Sequence, residues 1–102
     1  MKAQIYNHSI WIEETNPKTL KDKFNKILSE SGFSVLEVSE KHFKPYGYTA
    51  LFLLSESHLA IHTFPEENTT YLELSSCIKK PFYNFIDNIQ KWDKEEKENQ
   101  QK

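Results

Sequence analysis

Tyr48-Thr49-Ala50-Leu51-Phe52-Leu53-Leu54-Ser55-Glu56-Ser57-His58-Leu59-Ala60-Ile61-His62-Thr63 decides how this chain is read. Residues 48–54 are a nearly continuous apolar run, the pattern of a strand buried on both faces or lying at an interface. Ser55 and Ser57 fall where turn serines are common, at a strand end. His58 to Thr63 reads as the next strand. Upstream, Pro45-Tyr46-Gly47 is a turn, and Phe33 to Val38 reads as another strand. Asn16-Pro17 starts a helix, because Asn caps and a proline at the first helical position lacks an N–H that would have no partner anyway. Leu20, Phe24, Ile27 and Leu28 form its apolar stripe, and Gly32 ends it. Ile5 to Ile12 is a first strand, with Ile10 and Ile12 on one face. Downstream, a turn runs from Pro65 through Glu66, Glu67 and Asn68, and Thr69 to Leu74 is a last strand. Pro81 opens a second helix with Phe82, Phe85, Ile86 and Ile89 on one face. The order β-α-β-β-β-β-α predicts an α+β fold, a two-layer sandwich in which an antiparallel sheet carries both helices on one face. The other face needs cover, and a second protomer is one way to supply it.

At 102 residues the chain reads as one domain, residues 1–102, with a small core. Hydrophobic residues make up 37% and aromatic residues 14%, enough to fold. A net charge of −2 argues against a nucleic-acid partner, which would call for a basic face. No apolar run reaches membrane-spanning length, and Met1-Lys2-Ala3-Gln4 does not open a signal peptide, so the expected location is the cytoplasm. The single cysteine, Cys77, allows no intrachain disulfide. The tail from Lys94 to Lys102 is a polar run expected to fray or to extend a helix into solvent.

The chemistry-bearing residues crowd around the central stretch. A serine hydroxyl is a poor nucleophile until it is activated or the bond it attacks is strained. Ser57 would attack the carbonyl of the residue before it, Glu56. Attack there would give an ester, and loss of the serine α-proton would then leave dehydroalanine, which hydrolyses to a pyruvoyl group. Such a sequence needs a donor for the Glu56 carbonyl and a base near the α-carbon. His62, five residues on, is the candidate base, and Thr49 a candidate hydroxyl donor. Spaced four apart in a strand, His58 and His62 share a face, so a zinc site with Cys77 and Glu66 is an alternative. Cys77 reads either as a small buried hydrophobe or as a thiol whose pKa nearby Lys79 and Lys80 lower. Phe43, beside the turn, is partial core or a flat surface for a nucleobase or a sulfonium. Glu66 is a solvated turn carboxylate or an acceptor for a ribose diol.

Ser55-Glu56-Ser57-His58 followed by Ile61-His62-Thr63-Phe64-Pro65-Glu66 resembles the self-cleavage region of the small prokaryotic S-adenosylmethionine decarboxylases. The similarity runs from about Gly32 to Ile89. It includes Phe43, Pro45 and Gly47 of a His-x-Phe-x-Pro-x-Gly turn, the hydroxyl residue Thr49, and a cysteine at position 77. The resemblance implies cleavage between Glu56 and Ser57 into residues 1–56 and 57–102, with Ser57 becoming a pyruvoyl cofactor that takes the substrate amine as a Schiff base. It implies that His62 and Thr49 serve processing and that Cys77 donates the proton replacing CO2. Phe43 would stack on adenine and Glu66 would hold the ribose. It further implies a homodimer with shared sites, Ser57 and Cys77 from one protomer and Phe43, Thr49, His62 and Glu66 from the other. The product would be the aminopropyl donor for spermidine synthesis.

The chain also departs from the family. Ser75-Ser76-Cys77-Ile78 stands where Phe-Thr-Cys-Gly is usual, the glycine of the turn after Pro65-Glu66 is missing, and the sequence ends soon after the second helix, where the family usually continues. Two other functions therefore stand beside the first: a pyruvoyl-dependent decarboxylase acting on arginine or ornithine, and an uncleaved paralogue that binds a partner.

Overall fold

The computed structural model of the chain describes residues 2–100; Met1 and the end of the polar tail, Gln101 and Lys102, lie outside them. Five strands and two helices follow in the order β1 (Tyr6–Ile12), α1 (Pro17–Ser31), β2 (Val35–His42), β3 (Tyr48–Leu54), β4 (Ser57–Phe64), β5 (Thr69–Ser76) and α2 (Lys79–Gln100), with one 3-10 turn at Pro65–Glu67. The strands form one antiparallel sheet in the order β1-β5-β4-β3-β2. Both helices pack on one face, as the alternation of apolar residues predicts.

Local chemistry sets the helix ends. Asn16 Oδ1 accepts the Thr19 N–H at 2.9 Å, and Pro17 occupies the first turn. At the other end Gly32 adopts the left-handed conformation with φ 108°, and the Gly32 and Phe33 N–H groups close onto Ser29 and Leu28. Leu20, Phe24, Ile27 and Leu28 point into the core against Phe82, Phe85, Ile89 and Trp92 of α2. Phe24 meets Trp92 edge-on, ring centroids 5.5 Å apart. Trp92 extends the α2 stripe one turn beyond the expected Ile89. The two helices are also tied by Asn84 and Asn88, whose amides donate to the Ser31 carbonyl and hydroxyl at 3.2 and 3.0 Å.

Strands β1 and β4 differ from the expected bounds by one residue at one end or both, and the larger differences need correction. Helix α2 starts at Lys79 rather than at Pro81, which sits inside its first turn, where no intrahelical N–H bond is required. Strand β5 continues past Leu74 to Ser76, because Ser75 and Ser76 pair with both β1 and β4. Strand β2 begins at Val35 and runs to His42, four residues beyond the expected end. Its polar residues are tolerated because it is an edge strand. Of the two readings of strand β3, burial on both faces within the chain fails and the interface reading is left open. Tyr48, Ala50, Phe52 and Leu54 face the helices, while Leu51 and Leu53 on the opposite face are each 49% exposed.

A polar clamp fixes the β2 edge. The Tyr48 hydroxyl donates to Glu40 Oε1 at 2.6 Å, Lys21 Nζ of α1 reaches Glu40 Oε2 at 3.0 Å, and the His42 ring lies 4.8 Å from that of Tyr48. The Tyr48 hydroxyl first and Lys21 second hold the Glu40 carboxyl below its ordinary value of 4.5. A carboxylate with a depressed folded pKa stabilises the fold above its unfolded value, and that contribution fades as pH falls through the folded one. Tyr48→Phe should therefore lower the melting temperature at neutral pH, with the gap to wild type narrowing as pH falls below the ordinary carboxylate range. Thermal melts across that range test this; a gap that stays constant in acid would rule the clamp out.

Candidate active site

The hairpin between β3 and β4 turns on only Ser55 and Glu56. Glu56 takes the left-handed conformation with φ 58°, which a side chain other than glycine or asparagine adopts at a cost of about 1–2 kcal/mol. This strained residue carries the carbonyl that Ser57 would attack. The Cys77 thiol, one residue past β5, donates to that carbonyl oxygen at 3.5 Å and lies 3.6 Å from Glu56 Oε2. Loss of surrounding water first, and the Glu56 carboxylate second, push the Cys77 thiol above its ordinary pKa. The expected lowering by Lys79 and Lys80 is thus overturned: the group beside the sulfur is an anion, and both lysines stand exposed at the start of α2. Ser57 itself is 7% exposed, faces inward, and donates from its Oγ to Ser76 Oγ at 2.7 Å.

The remaining candidates gather at the opposite end of the same strands. Thr49 and His62 sit directly across from each other in the β3–β4 ladder, with Thr49 Oγ1 and His62 Nδ1 sharing a hydrogen bond of 3.0 Å. They line a recess of about 280 Å3 together with Phe43, Tyr46, Tyr48 and Glu66. The Phe43 N–H donates to the Gly47 carbonyl at 2.9 Å, and Gly47, at φ 114°, makes the tight return that brings Phe43 over the opening. Glu66 is exposed on the 3-10 turn, which closes at Asn68 with φ 55°. Asparagine tolerates that conformation, so the turn forms without a glycine.

Within one chain, then, His62 does not serve Ser57. Five residues of strand separate them, about 16 Å, and the odd spacing turns their side chains to opposite faces. The zinc alternative fails for a similar reason. His58 and His62 share the outer face about 13 Å apart, with Cys77 and Glu66 at opposite ends of the sheet. Among the described residues no three His, Cys, Asp or Glu side chains converge on a metal position. Tyr46 and Ser76 were not singled out from sequence. Tyr46 has a signal in its place within the Pro-Gly turn. Ser76 has none, since only the strand register sets it opposite Ser57.

The sequence pattern of the family described as S-adenosylmethionine decarboxylase matches residues 13–96, most of the chain. This chain belongs to the S-adenosylmethionine decarboxylase family. It is 57% identical over 47 residues to the S-adenosylmethionine decarboxylase proenzyme 2 of Bacillus cereus, a segment covering 46% of this chain and 38% of that relative. To the S-adenosylmethionine decarboxylase proenzyme of Brevibacillus brevis it is 45% identical over 58 residues, 57% of this chain and 44% of the relative. The matched segments thus span less than half the length of these curated relatives. The crystal structure of the adenosylmethionine decarboxylase from Aquifex aeolicus shares the fold, with a TM-score of 0.71 over 85% of this chain and 78% of that one, at 17% identity. Among the described residues no helix is long and apolar enough to cross a membrane.

Proposed function

We propose that the chain is a self-processing, pyruvoyl-dependent decarboxylase of the cytoplasm that acts on S-adenosylmethionine and so supplies the aminopropyl donor for spermidine. The observation that carries this is the Cys77 thiol on the Glu56 carbonyl, at the strained peptide bond that precedes Ser57. Strain alone is too small. About 1–2 kcal/mol corresponds to roughly a tenfold gain in rate, far short of what amide cleavage needs. The rest must come from groups that meet the developing charge. Negative charge would build on the Glu56 oxygen as Ser57 Oγ bonds to its carbon, and a donor already aimed there lowers the barrier. The residues at this end fit a pyruvoyl precursor: the nucleophile, its target and a donor lie together. A pyruvoyl group at position 57 would supply an electron-withdrawing carbonyl to the substrate amine. Cys77, kept protonated by its surroundings, then delivers a proton to the substrate carbon that loses CO2. Phe43 and Glu66 flank a recess suited to a flat base and a diol.

The two halves of the site act together in a dimer. Ser57 with Cys77 and Thr49 with His62 occupy opposite ends of one sheet. A two-fold axis through the middle of the outer face would bring the hairpin end of one copy, with Glu56 and Cys77 at its rim, toward the Thr49–His62 pair of its partner. The character of that face supports this: Leu51, Leu53 and Trp11 are about half exposed there, at 49%, 49% and 57%.

Release of CO2 from carboxyl-labelled S-adenosylmethionine, compared with arginine and ornithine, tests the substrate. Cys77→Ala should lower that release by about 10²–10⁴-fold. It should slow self-cleavage only about tenfold, since a thiol is a weak donor. Full release without the thiol would reduce Cys77 to a packing residue.

A further inference from the structure

Ser76 is almost completely buried, at 1% exposure, and the proposed function gives it no task. Its oxygen is nevertheless the most connected hydroxyl at the hairpin. It accepts the Ser57 hydroxyl at 2.7 Å and the Ile78 N–H at 3.0 Å, and lies 3.4 Å from the Ile78 carbonyl oxygen. The Ile78 N–H fixes the acceptor, and the acceptor in turn fixes Ser57. Neither serine is open to water, so no solvent molecule readily replaces that contact. We propose that Ser76 is a positioning residue for self-cleavage: its buried hydroxyl selects the rotamer of Ser57 from which Oγ attacks the Glu56 carbonyl, and draws electron density onto that oxygen by accepting its proton in a hydrogen bond. This rests on the self-processing reading above.

In the acyl shift the bond from Ser57 Oγ to the Glu56 carbonyl carbon forms and the Glu56–Ser57 C–N bond breaks. The hydroxyl proton ends on the freed Ser57 nitrogen, so nothing enters from or leaves to solution. Ser76 acts before and during bond formation and keeps no proton. A competing explanation is local. A serine two residues before Ile78 bonds the amide ahead of a helix wherever such turns occur, and the contact with Ser57 would be incidental. The two explanations separate because the local one affects stability and leaves the ester-forming step alone.

The experiment follows cleavage of freshly purified full-length chain by intact mass, with and without hydroxylamine, which cuts an ester once formed. Ser76→Ala is expected to cleave about tenfold more slowly than wild type. Hydroxylamine should not restore its pace, because ester formation is the slowed step. Ser76→Thr, which keeps the hydroxyl, should cleave close to the wild-type rate. Ser76→Cys, close in volume and a poor acceptor, should be slow like the alanine variant and covers the case in which alanine disturbs the fold. Wild-type rates in both the alanine and the cysteine variants would overturn the inference, as would hydroxylamine releasing the fragment from either at the wild-type pace. A wild-type chain that stays whole would instead overturn the processing reading itself, and this inference with it.

Discussion

Ser57→Ala is expected to remain a single 102-residue polypeptide under conditions in which the wild-type chain divides into residues 1–56 and 57–102. The loss should be complete within detection, since the substitution removes the only atom at that position able to accept the acyl group. It should not be a folding defect. Ser57 lies at the end of β4, held by five ladder pairings further along the strand with β3, and alanine fits an inward position at a helix-facing strand end. The substitution costs the hydrogen bond to Ser76, about 0.5–1.5 kcal/mol, and Ser76 keeps its bond from the Ile78 N–H. The melting temperature should therefore shift by only a few degrees. The 57–102 fragment from wild type should resist amino-terminal sequencing and carry the mass of a pyruvoyl end in place of serine. A wild-type chain that stays whole on prolonged incubation would leave the family's processing chemistry unused here and would favour the uncleaved, partner-binding alternative.

How much of this was legible in the sequence depends on whether a residue's role is local. The caps at Asn16 and Gly32, the turn at Gly47 and the stripes of both helices are set by neighbours within four residues, and all were readable. The misplaced ends are those that long-range pairing decides. Polar Ser39 to His42 look like a loop until Tyr48, across the ladder, gives Glu40 and His42 a partner. Ser75 and Ser76 look like a turn until β1 and β4 flank them. The site shows the same division. The motif named Ser57, Cys77, Thr49, His62, Phe43 and Glu66 as residues. It could not say that one sheet holds them at two ends, because five residues of spacing means a neighbour in a loop and about 16 Å in a strand. Nor could it predict an anion beside Cys77, since Glu56 reaches the thiol only through the left-handed turn.

That separation makes the second large effect. Ser57→Ala and His62→Ala chains, each inactive alone, should recover activity when co-expressed with different tags. If each site takes Ser57 and Cys77 from one protomer and His62 and Thr49 from the other, a mixed dimer places both lesions in one site and leaves the other intact. Random pairing makes half the dimers mixed, so about one site in four should work, measured as cleaved chain and as CO2 release. Ser57→Ala mixed with Cys77→Ala should instead fail to recover CO2 release if Ser57 and Cys77 come from the same protomer, because the mixed dimer then has one damaged contribution in each site. The apolar outer face supplies an independent control. Leu51→Glu places a charge on the most central exposed aliphatic of β3, beside Ala60 of β4, without touching either pair of reacting groups. Desolvating an unpaired carboxylate in a two-fold contact counts twice, so this variant should sediment as a monomer and lose both cleavage and complementation while its isolated fold persists. Full cleavage by a chain shown to be monomeric would end the shared-site reading, because nothing within one protomer brings His62 to Ser57.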